Sequence, residues 1–387
     1  MPRSFLPAGK VNRALSYFKL TQPMQKLIGT MPKLQSRGNR PLQMTVEQQL
    51  NALIYFHLQD YTSGRHLLQV LEEEDFAREV IAPPDGIKKS SFFEAINTRG
   101  LEQLTYIFKE LHTQAHKTIP HEHTELGELI AIDGSLINTT LSMHWADYRD
   151  SSKKAKAHLG FDLNCSIPSK LFLTDGKTGE RPFVRKILKT GQTGVMDRGY
   201  QCHNNFDLWQ AEGKHFVCRI KRNTKKTCIH QNKLNPGSIV FYDAIVLLGT
   251  PGINQTERKL RLIGFRVASK EYWVATDRFD LTAEQIAAIF KLRWNIEIFF
   301  AWWKQYLNVY HVIARSEYGF LVQILAGLIT YLLLAMYCHD NYNEKVSIKR
   351  VRELQIKIKN EIQCLSYCDT CQTQCLNLNL EYIRAKT

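Results

Sequence analysis

Two short apolar runs in this chain each end in an aspartate. The run at 129–132 reads Leu-Ile-Ala-Ile and leads to Asp133, and Val-Met at 195–196 leads to Asp197. Runs of this kind predict buried strands, and each strand places the acid that follows it at the rim of a sheet. Gly134 leaves room beside the first acid for a metal ion or a phosphate to approach the backbone. The chain therefore predicts a sheet with two carboxylates at its rim.

A third acid lies in a predicted helix. At about 100° per residue, four side chains of that helix fall within about 60° of one another: Phe290, Arg293, Glu297 and Lys304. A carboxylate that holds a divalent cation, flanked by cations that grip phosphates, suits phosphodiester chemistry. Taken singly, the residues have ordinary explanations, namely an i,i+4 ion pair and turn residues at strand ends. Three such acids in a basic chain favour a metal site.

The same helix resembles the signature helix of bacterial DDE transposases of the insertion-sequence-four type. The motif of that family is written Y-x2-R-x3-E-x6-K, and Arg293, Glu297 and Lys304 stand at its spacings. Phe290 replaces the tyrosine, whose hydroxyl in the family helps to position a phosphate, and phenylalanine has no such donor. The resemblance implies that Phe290, Arg293 and Lys304 contact DNA.

Over about residues 125–335 the chain is similar to this family, and Asp133 and Asp197 match its first and second catalytic aspartates. The resemblance implies an α/β fold, with a ribonuclease-H-like catalytic core, an inserted β-subdomain and an N-terminal helical domain. It also implies that Asp133, Asp197 and Glu297 hold a pair of Mg²⁺ ions, for which Mn²⁺ is expected to substitute.

The activity that the resemblance implies is transposition. The protein would bind the ends of its insertion sequence, cleave the DNA and join the 3′-hydroxyl ends to target DNA, as a homodimer on paired ends. Its partners would be double-stranded DNA, both the terminal inverted repeats and the target. The formal net charge of +14 also favours a polyanionic partner. Two alternatives share these features: a metal-dependent nuclease that does not join ends, and a domesticated DNA-binding regulator.

The pattern along the chain predicts five segments. Residues 1–120 read as helices, with capping boxes at Thr45-x-x-Gln48 and Ser91-x-x-Glu94. This block either binds transposon ends or packs on the core. The segments are a helical, DNA-end-binding domain (1–120), the first part of the catalytic core (125–224), an inserted β-subdomain (225–274), the second part of the core with the acid-bearing helix (275–343) and a C-terminal helical segment (344–387).

The apolar stretch at 320–337 is uncharged and close to the length of a membrane span. We expect a buried helix that covers one side of the catalytic sheet instead, because no comparable stretch occurs elsewhere and polar residues interrupt it. The N-terminus has no apolar run long enough for a secretory signal. These features predict a cytoplasmic bacterial protein without a membrane partner, associated with the nucleoid when it binds DNA.

The C-terminal segment carries two periodic stripes. Val351, Leu354, Ile358 and Ile362 recur at helical spacing and offer a dimer contact, the alternative being packing within the same subunit. The second stripe is Cys364, Cys368, Cys371 and Cys375. On a straight helix its outer members would be about 16 Å apart, so a shared zinc ion requires the helix to break. Zinc binding and an apolar contact both remain open for these thiols.

Overall fold

A computed structural model describes residues 15–34, 42–59, 61–149, 152–307, 309–358 and 360–361. The cysteine stripe and Ile362 lie outside these residues. The chain forms two compact units. A helical unit combines the described residues up to Thr118 with those from Trp303 onward, and a sheet unit comprises Ile119–Trp302. Residues 303–343, assigned above to the catalytic core, therefore pack with the N-terminal helices.

The helical unit is built around one long apolar helix. With helices numbered in chain order, those of this unit are α1 (Leu15–Ile28), α2 (Val46–Leu58), α3 (Gly64–Glu73), α4 (Lys89–Thr98), α5 (Leu101–Thr118), α10 (Glu317–Tyr342) and α11 (348–358). Helix α10 packs against α5, α2, α4 and α1. These contacts bury the helix within the helical unit, and its expected packing on the sheet stays a prediction.

Burial of α10 explains its apolar composition. It is the one helix among the described residues that is long and apolar enough to cross a membrane, and 94% of its most apolar window is buried. Its polar side chains are satisfied internally. Gln323 accepts a hydrogen bond from the Ile313 amide at 2.9 Å, and the Thr330 hydroxyl donates to the Ala326 carbonyl at 2.8 Å. Composition and contacts thus describe the central helix of a packed bundle.

The predicted helix signals in this unit have mixed outcomes. The capping box from Thr45 to Gln48 is confirmed, since the Thr45 hydroxyl accepts from the Gln48 amide at 3.1 Å and the reciprocal bond is 2.9 Å. The predicted box at Ser91 is wrong, because α4 has already begun at Lys89. In α11, three residues of the predicted dimer stripe are buried within the unit: Val351, Leu354 and Ile358. For these three, packing within the subunit replaces a dimer contact.

The sheet unit contains one nine-stranded sheet. Its strand order is β3-β2-β1-β4-β5-β9-β8-β7-β6. The strands are β1 (Leu129–Asn138), β2 (Lys154–Asp162), β3 (Ile167–Asp175), β4 (Thr193–Met196), β5 (His215–Arg219), β6 (Lys226–Gln231), β7 (Val240–Leu248), β8 (Leu260–Val267) and β9 (Lys270–Thr276). The first three strands are antiparallel neighbours, whereas β4 and β5 run parallel to β1. This is the ribonuclease-H-like arrangement, and the predicted fold class is confirmed.

The segment predicted as an inserted β-subdomain continues the same sheet. Strands β6 to β9 are antiparallel neighbours, and β9 pairs with β5 through Val217 and Thr276. A buried ion pair ties β7 to β8, with Arg261 donating to both carboxylate oxygens of Asp243 at 2.9 and 2.8 Å. The insertion therefore extends the core sheet and brings its own buried charge pair.

Helices cover both faces of the sheet. On one face, α6 (Arg181–Ile187) and α7 (His203–Ala211) pack on a core that includes Ile130 and Ile132. On the other, α8 (Ala283–Leu292) contacts β4, β5, β7 and β8, and Phe299 of α9 (Trp294–Tyr306) contacts Phe161 at 5.0 Å between ring centres. Successive strand residues point to opposite faces, so Ala131 and Asp133 point away from the Ile130 face. The first acid thus shares a face with the acid-bearing helix.

Candidate active site

Strand register brings Asp133 and Asp197 to one level of the sheet. Asp133 is the fifth residue of β1, and Asp197 is the first residue after β4. Ala131 pairs in parallel with Val195, and each aspartate lies two residues further along its strand. Both acids therefore lie on the same face and at the same level of adjacent strands. The apolar run before Asp133 predicted a strand end, but β1 continues to Asn138, so Asp133 lies in the middle of the central strand and Asp197 at the end of its neighbour.

Asp133 stands in surroundings that disfavour its charge. Burial raises the pKa of this carboxyl to about 6, and the negative charges of Glu180 and Glu297 act in the same direction. The Gly134 amide, which donates to Asp133 Oδ1 at 2.9 Å, and the Arg293 guanidinium oppose the rise. The charges of Glu297 and Arg293 thus act on Asp133 electrostatically. A cation beside Asp133 would relieve this excess of negative charge.

Asp197 has a guanidinium partner from the neighbouring strand. Its backbone is extended and opens a single helical turn at Arg198–Tyr200. Arg219, the last residue of β5, places Nη1 3.3 Å from Asp197 Oδ1. The Arg219 guanidinium also lies over the Tyr272 ring, 5.1 Å from its centre. This arginine holds the second acid at the sheet rim, and it was not predicted from the sequence.

Glu297 lies in the first turn of α9 and is paired with Arg293, whose Nη2 is 2.7 Å from Glu297 Oε1. The side chain of Glu297 is 34% exposed, against 12% for Arg293. The prediction of one continuous helix from Phe290 to Lys304 is wrong at Arg293. There α8 ends and α9 begins, and the amides of Arg293 and Ile296 make bonds of i to i−3 type.

The break separates Phe290 from the acid-bearing helix. Phe290 is buried, with 6% of its surface exposed. Its ring centre lies 6.1 Å from that of Phe265 and 5.8 Å from that of Tyr272. Arg293 also lies over the Phe290 ring at 5.7 Å. A phenylalanine here suits a packed position without a hydrogen-bond partner. Contact between Phe290 and DNA stays a prediction, and the ring offers little surface for it.

Lys304 stands on the same helix as Glu297, about two turns or 10 Å further along the axis. Its Nζ lies 5.7 Å from the centre of the Tyr310 ring. Arg293 is therefore the basic residue of the motif that is paired directly with the third acid, whereas Lys304 is displaced along α9. A DNA contact by either side chain stays a prediction.

The donor set suits hard divalent cations, because carboxylate oxygens are the ligands that Mg²⁺ and Mn²⁺ prefer. Within the part of the chain that the structure describes, the oxygens of Asp133, Asp197 and Glu297 do not all lie within 4.8 Å of one another. Arginines hold two of them, Arg219 on Asp197 and Arg293 on Glu297. A site for a pair of ions is wider than a single cage. Metal binding by these three acids stays a prediction.

The sequence analysis missed a fourth acid near this site. Glu180 immediately precedes α6, and its negative charge acts on Asp133. Its only local signal in the sequence is an acid before Arg181 and a proline. That signal is common at helix N-termini, so sequence alone gives no reason to connect Glu180 with the strand acids.

Comparison with known families identifies the chain. Residues 125–333, more than half of the sequence, match the family described as "Transposase DDE domain". The chain belongs to the DDE transposase family. The matched region contains all three acids together with Arg293 and Lys304, and it agrees closely with the extent of the predicted resemblance. Proteins of this family use divalent metal ions.

Three curated relatives carry transposase names. One from Geobacillus stearothermophilus, named for insertion sequence element IS5377, is 33% identical over 210 residues, which is 53% of this chain and 54% of the relative. A transposase of Sinorhizobium fredii is 29% identical over 51% of this chain and 57% of its own length. One from Synechocystis, named for element IS4SA, is 24% identical over 69% of this chain and 76% of the relative. The chain spans little more than half the length of the first two relatives.

Proposed function

We propose that this protein is a transposase that binds the ends of its insertion sequence, cleaves the DNA and joins the 3′-hydroxyl ends to target DNA. The observation that supports the proposal is the position of Asp133 in a DDE-family chain, relative to the other two predicted acids. Asp133 and Asp197 share one level of the sheet, and Glu297 acts electrostatically on Asp133. Such acids would hold Mg²⁺, with Mn²⁺ as a substitute.

Asp133, Asp197 and Glu297 would be the ligands of the bound cations. When bound, the cations would supply Lewis-acid activation of water or of a 3′-hydroxyl and charge stabilisation at the leaving oxygen. Arg219 and Arg293 keep Asp197 and Glu297 oriented before cations arrive. Because the pKa of Asp133 is raised to about 6, this carboxylate is mostly ionised at neutral pH and is able to act as a ligand.

DNA would be held by the basic surface around these acids. Arg293 and Lys304 would contact phosphates, and the Phe290 ring would pack against the Arg293 guanidinium. A cleft beside Asp197 is lined by Arg198, Arg219, Lys221 and Arg222 together with Ile220, Ser269, Glu271 and Trp273. Four cations against one carboxylate suit a phosphodiester backbone. The net charge of +14 supports the same partner.

The remaining parts of the proposal concern assembly and location. The N-terminal helices would bind the terminal inverted repeats, and a homodimer would pair the two ends, because each chain carries one set of acids. The protein would act in the bacterial cytoplasm, on the nucleoid when bound to DNA. A nuclease would share the acids without joining DNA, so joining is the property to measure.

The test uses the inverted repeats that flank the coding sequence. Labelled end fragments and a supercoiled target are incubated with the protein in Mg²⁺, and cleaved and joined products are separated on gels. We expect both products from wild type and neither from Glu297→Gln, which keeps DNA binding. Glu284→Gln is the matched control, since Glu284 lies on α8 and bonds to Ser238 and Asn235. Cleavage without joining would overturn the transposase proposal, and equal cleavage by Glu297→Gln would overturn the acid assignment.

A further inference from the structure

Glu180 joins the two chain segments that carry the strand aspartates. It precedes α6, the short helix that follows β3. Its side chain lies against Gly134, the residue after Asp133. A Cβ added at Gly134 would stand 2.6 Å from Glu180 Oε1 and 2.7 Å from its Cδ. Only glycine at 134 therefore leaves the carboxylate where it lies, which accounts for the Asp-Gly pair in the sequence.

The second segment is the turn that follows Asp197. The hydroxyl of Tyr200 in that turn interacts with the Glu180 carboxylate, and burial raises the pKa of Tyr200 well above its usual value. The hydroxyl therefore stays protonated and is able to donate to the carboxylate. The next residue along the chain from Glu180, Arg181, donates from Nε to the Gly199 carbonyl at 3.0 Å. The start of α6 is thus anchored to the turn.

One lysine completes the surroundings of Glu180. Lys156 Nζ is 3.6 Å from Glu180 Oε1 and donates to the Thr178 carbonyl at 2.9 Å. The Glu180 side chain remains 29% exposed. The fold places this charge beside the first aspartate and holds it from two sides.

We propose that Glu180 is a fourth carboxylate of the metal centre, beside Asp133, and that it strengthens the binding of divalent cations there. The inference rests on the proposed function, because it assumes that Asp133, Asp197 and Glu297 hold these cations. Glu180 adds negative charge next to the first ligand. Tyr200 and Lys156 fix its position, so they are positioning residues for this acid.

Binding of Mn²⁺ to the full chain, measured by isothermal titration calorimetry without DNA, tests the proposal. Glu180→Gln is expected to weaken Mn²⁺ binding about tenfold, the loss typical of residues that support metal ligands. Glu212→Gln is the matched control. Glu212 is similarly exposed, at 22%, and also pairs with a lysine, Lys214 at 2.7 Å, but it follows α7. This control should bind Mn²⁺ like wild type.

A second variant separates a lost charge from a damaged fold. Gly134→Ala keeps every charge but displaces the flexible end of Glu180. We expect it to weaken Mn²⁺ binding like Glu180→Gln, and the double variant to lose no more than either single one. Additive losses would mean that Gly134→Ala acts on Asp133 directly and would count against the proposal. Melting temperatures in EDTA should differ little between Glu180→Gln and Glu212→Gln.

Asp133→Asn distinguishes failure of this inference from failure of the proposed function. If Asp133→Asn weakens Mn²⁺ binding while Glu180→Gln binds like wild type, the inference is overturned and the three-acid site stands. If neither substitution changes Mn²⁺ binding, the proposed metal site itself fails. Weaker binding by both, with Glu212→Gln unchanged, supports both.

Discussion

Two aspartates of the same sheet are held in opposite ways. Asp243 on β7 is buried and receives Nε and Nη2 of Arg261 on both oxygens, with a further donor from Asn232 at 3.0 Å. Asp133 on β1 receives the Gly134 amide and lies within the influence of Glu180 and Glu297. The outer strands therefore neutralise their buried charge with a cation of the protein. Around Asp133, by contrast, the negative charges of Glu180 and Glu297 add to the effect of burial and raise its pKa.

The same substitution should therefore have opposite effects on stability at these two positions. Asp243→Asn is expected to lower the free energy of unfolding by about 3–5 kcal/mol, because it leaves the Arg261 guanidinium buried without its ion-pair partner. Urea unfolding followed by circular dichroism measures the loss. Asp243→Asn combined with Arg261→Met should recover part of it. If Asp243→Asn is as stable as wild type, the ion pair between Asp243 and Arg261 does not stabilise the fold.

At the rim, loss of an acid should affect chemistry most. Asp197→Asn is expected to lower the rate of DNA cleavage in Mg²⁺ at least about a hundredfold, since even residues that only support metal ligands cost up to about that much. Binding to end fragments should persist, because no phosphate-binding cation is removed. Asp340→Asn, an exposed change in the helical unit, is the control. Cleavage within about twofold of wild type would exclude Asp197 from the site.

Asp133→Asn should stabilise the protein when metal is absent. The pKa of Asp133 is raised from 3.8 to about 6 on folding, so its contribution to stability is complete below pH 3.8 and is lost as pH rises through 6. At pH 8 in EDTA, the variant should gain about 2 kcal/mol in the free energy of unfolding, after allowance for solvent screening. Near pH 4 the two proteins should be equally stable. A loss of stability at pH 8 would mean that Asp133 is a satisfied acid like Asp243.

The smallest effect is expected for the cations near the acids. Arg293→Ala and Lys304→Ala should each reduce the slope of log affinity for DNA against log salt by roughly one, as one phosphate contact disappears. Fluorescence anisotropy with a labelled end fragment at several NaCl concentrations gives the slope. Lys345→Ala, an exposed lysine of the helical unit, provides the comparison. Unchanged slopes for both variants would place this part of α9 away from DNA.

Local sequence patterns indicated the three acids, and the resemblance to DDE transposases supplied the core sheet. An apolar run followed by an aspartate indicated each strand, although β1 continues past Asp133 to Asn138, and the spacing of Arg293, Glu297 and Lys304 lies within one stretch of chain. The partners Arg219 and Glu180 were missed because strand pairing and helix packing bring them to Asp197 and Asp133 across the fold. The residues next to Arg219 and Glu180 in the sequence show no periodicity or spacing that predicts these contacts.

Other differences have similar causes. The helix break at Arg293 was not predicted because residues 290–297 contain neither glycine nor proline, the usual signals of interruption. The apolar composition of α10 predicted burial correctly but not its partners. A helix that is apolar on all sides is expected to be buried. Its sequence does not show whether it packs against a sheet or against other helices.

Locating bound Mn²⁺ in crystals of the protein with its DNA ends tests the proposed three-carboxylate site most directly. Anomalous difference density collected at the manganese edge identifies the ions independently of the refined protein atoms. The account predicts density at the rim of β1 and β4, with carboxylate oxygens of Asp133, Asp197 and Glu297 as ligands at about 2.0–2.2 Å. Manganese bound elsewhere, with Arg219 and Arg293 still paired to Asp197 and Glu297, would contradict it.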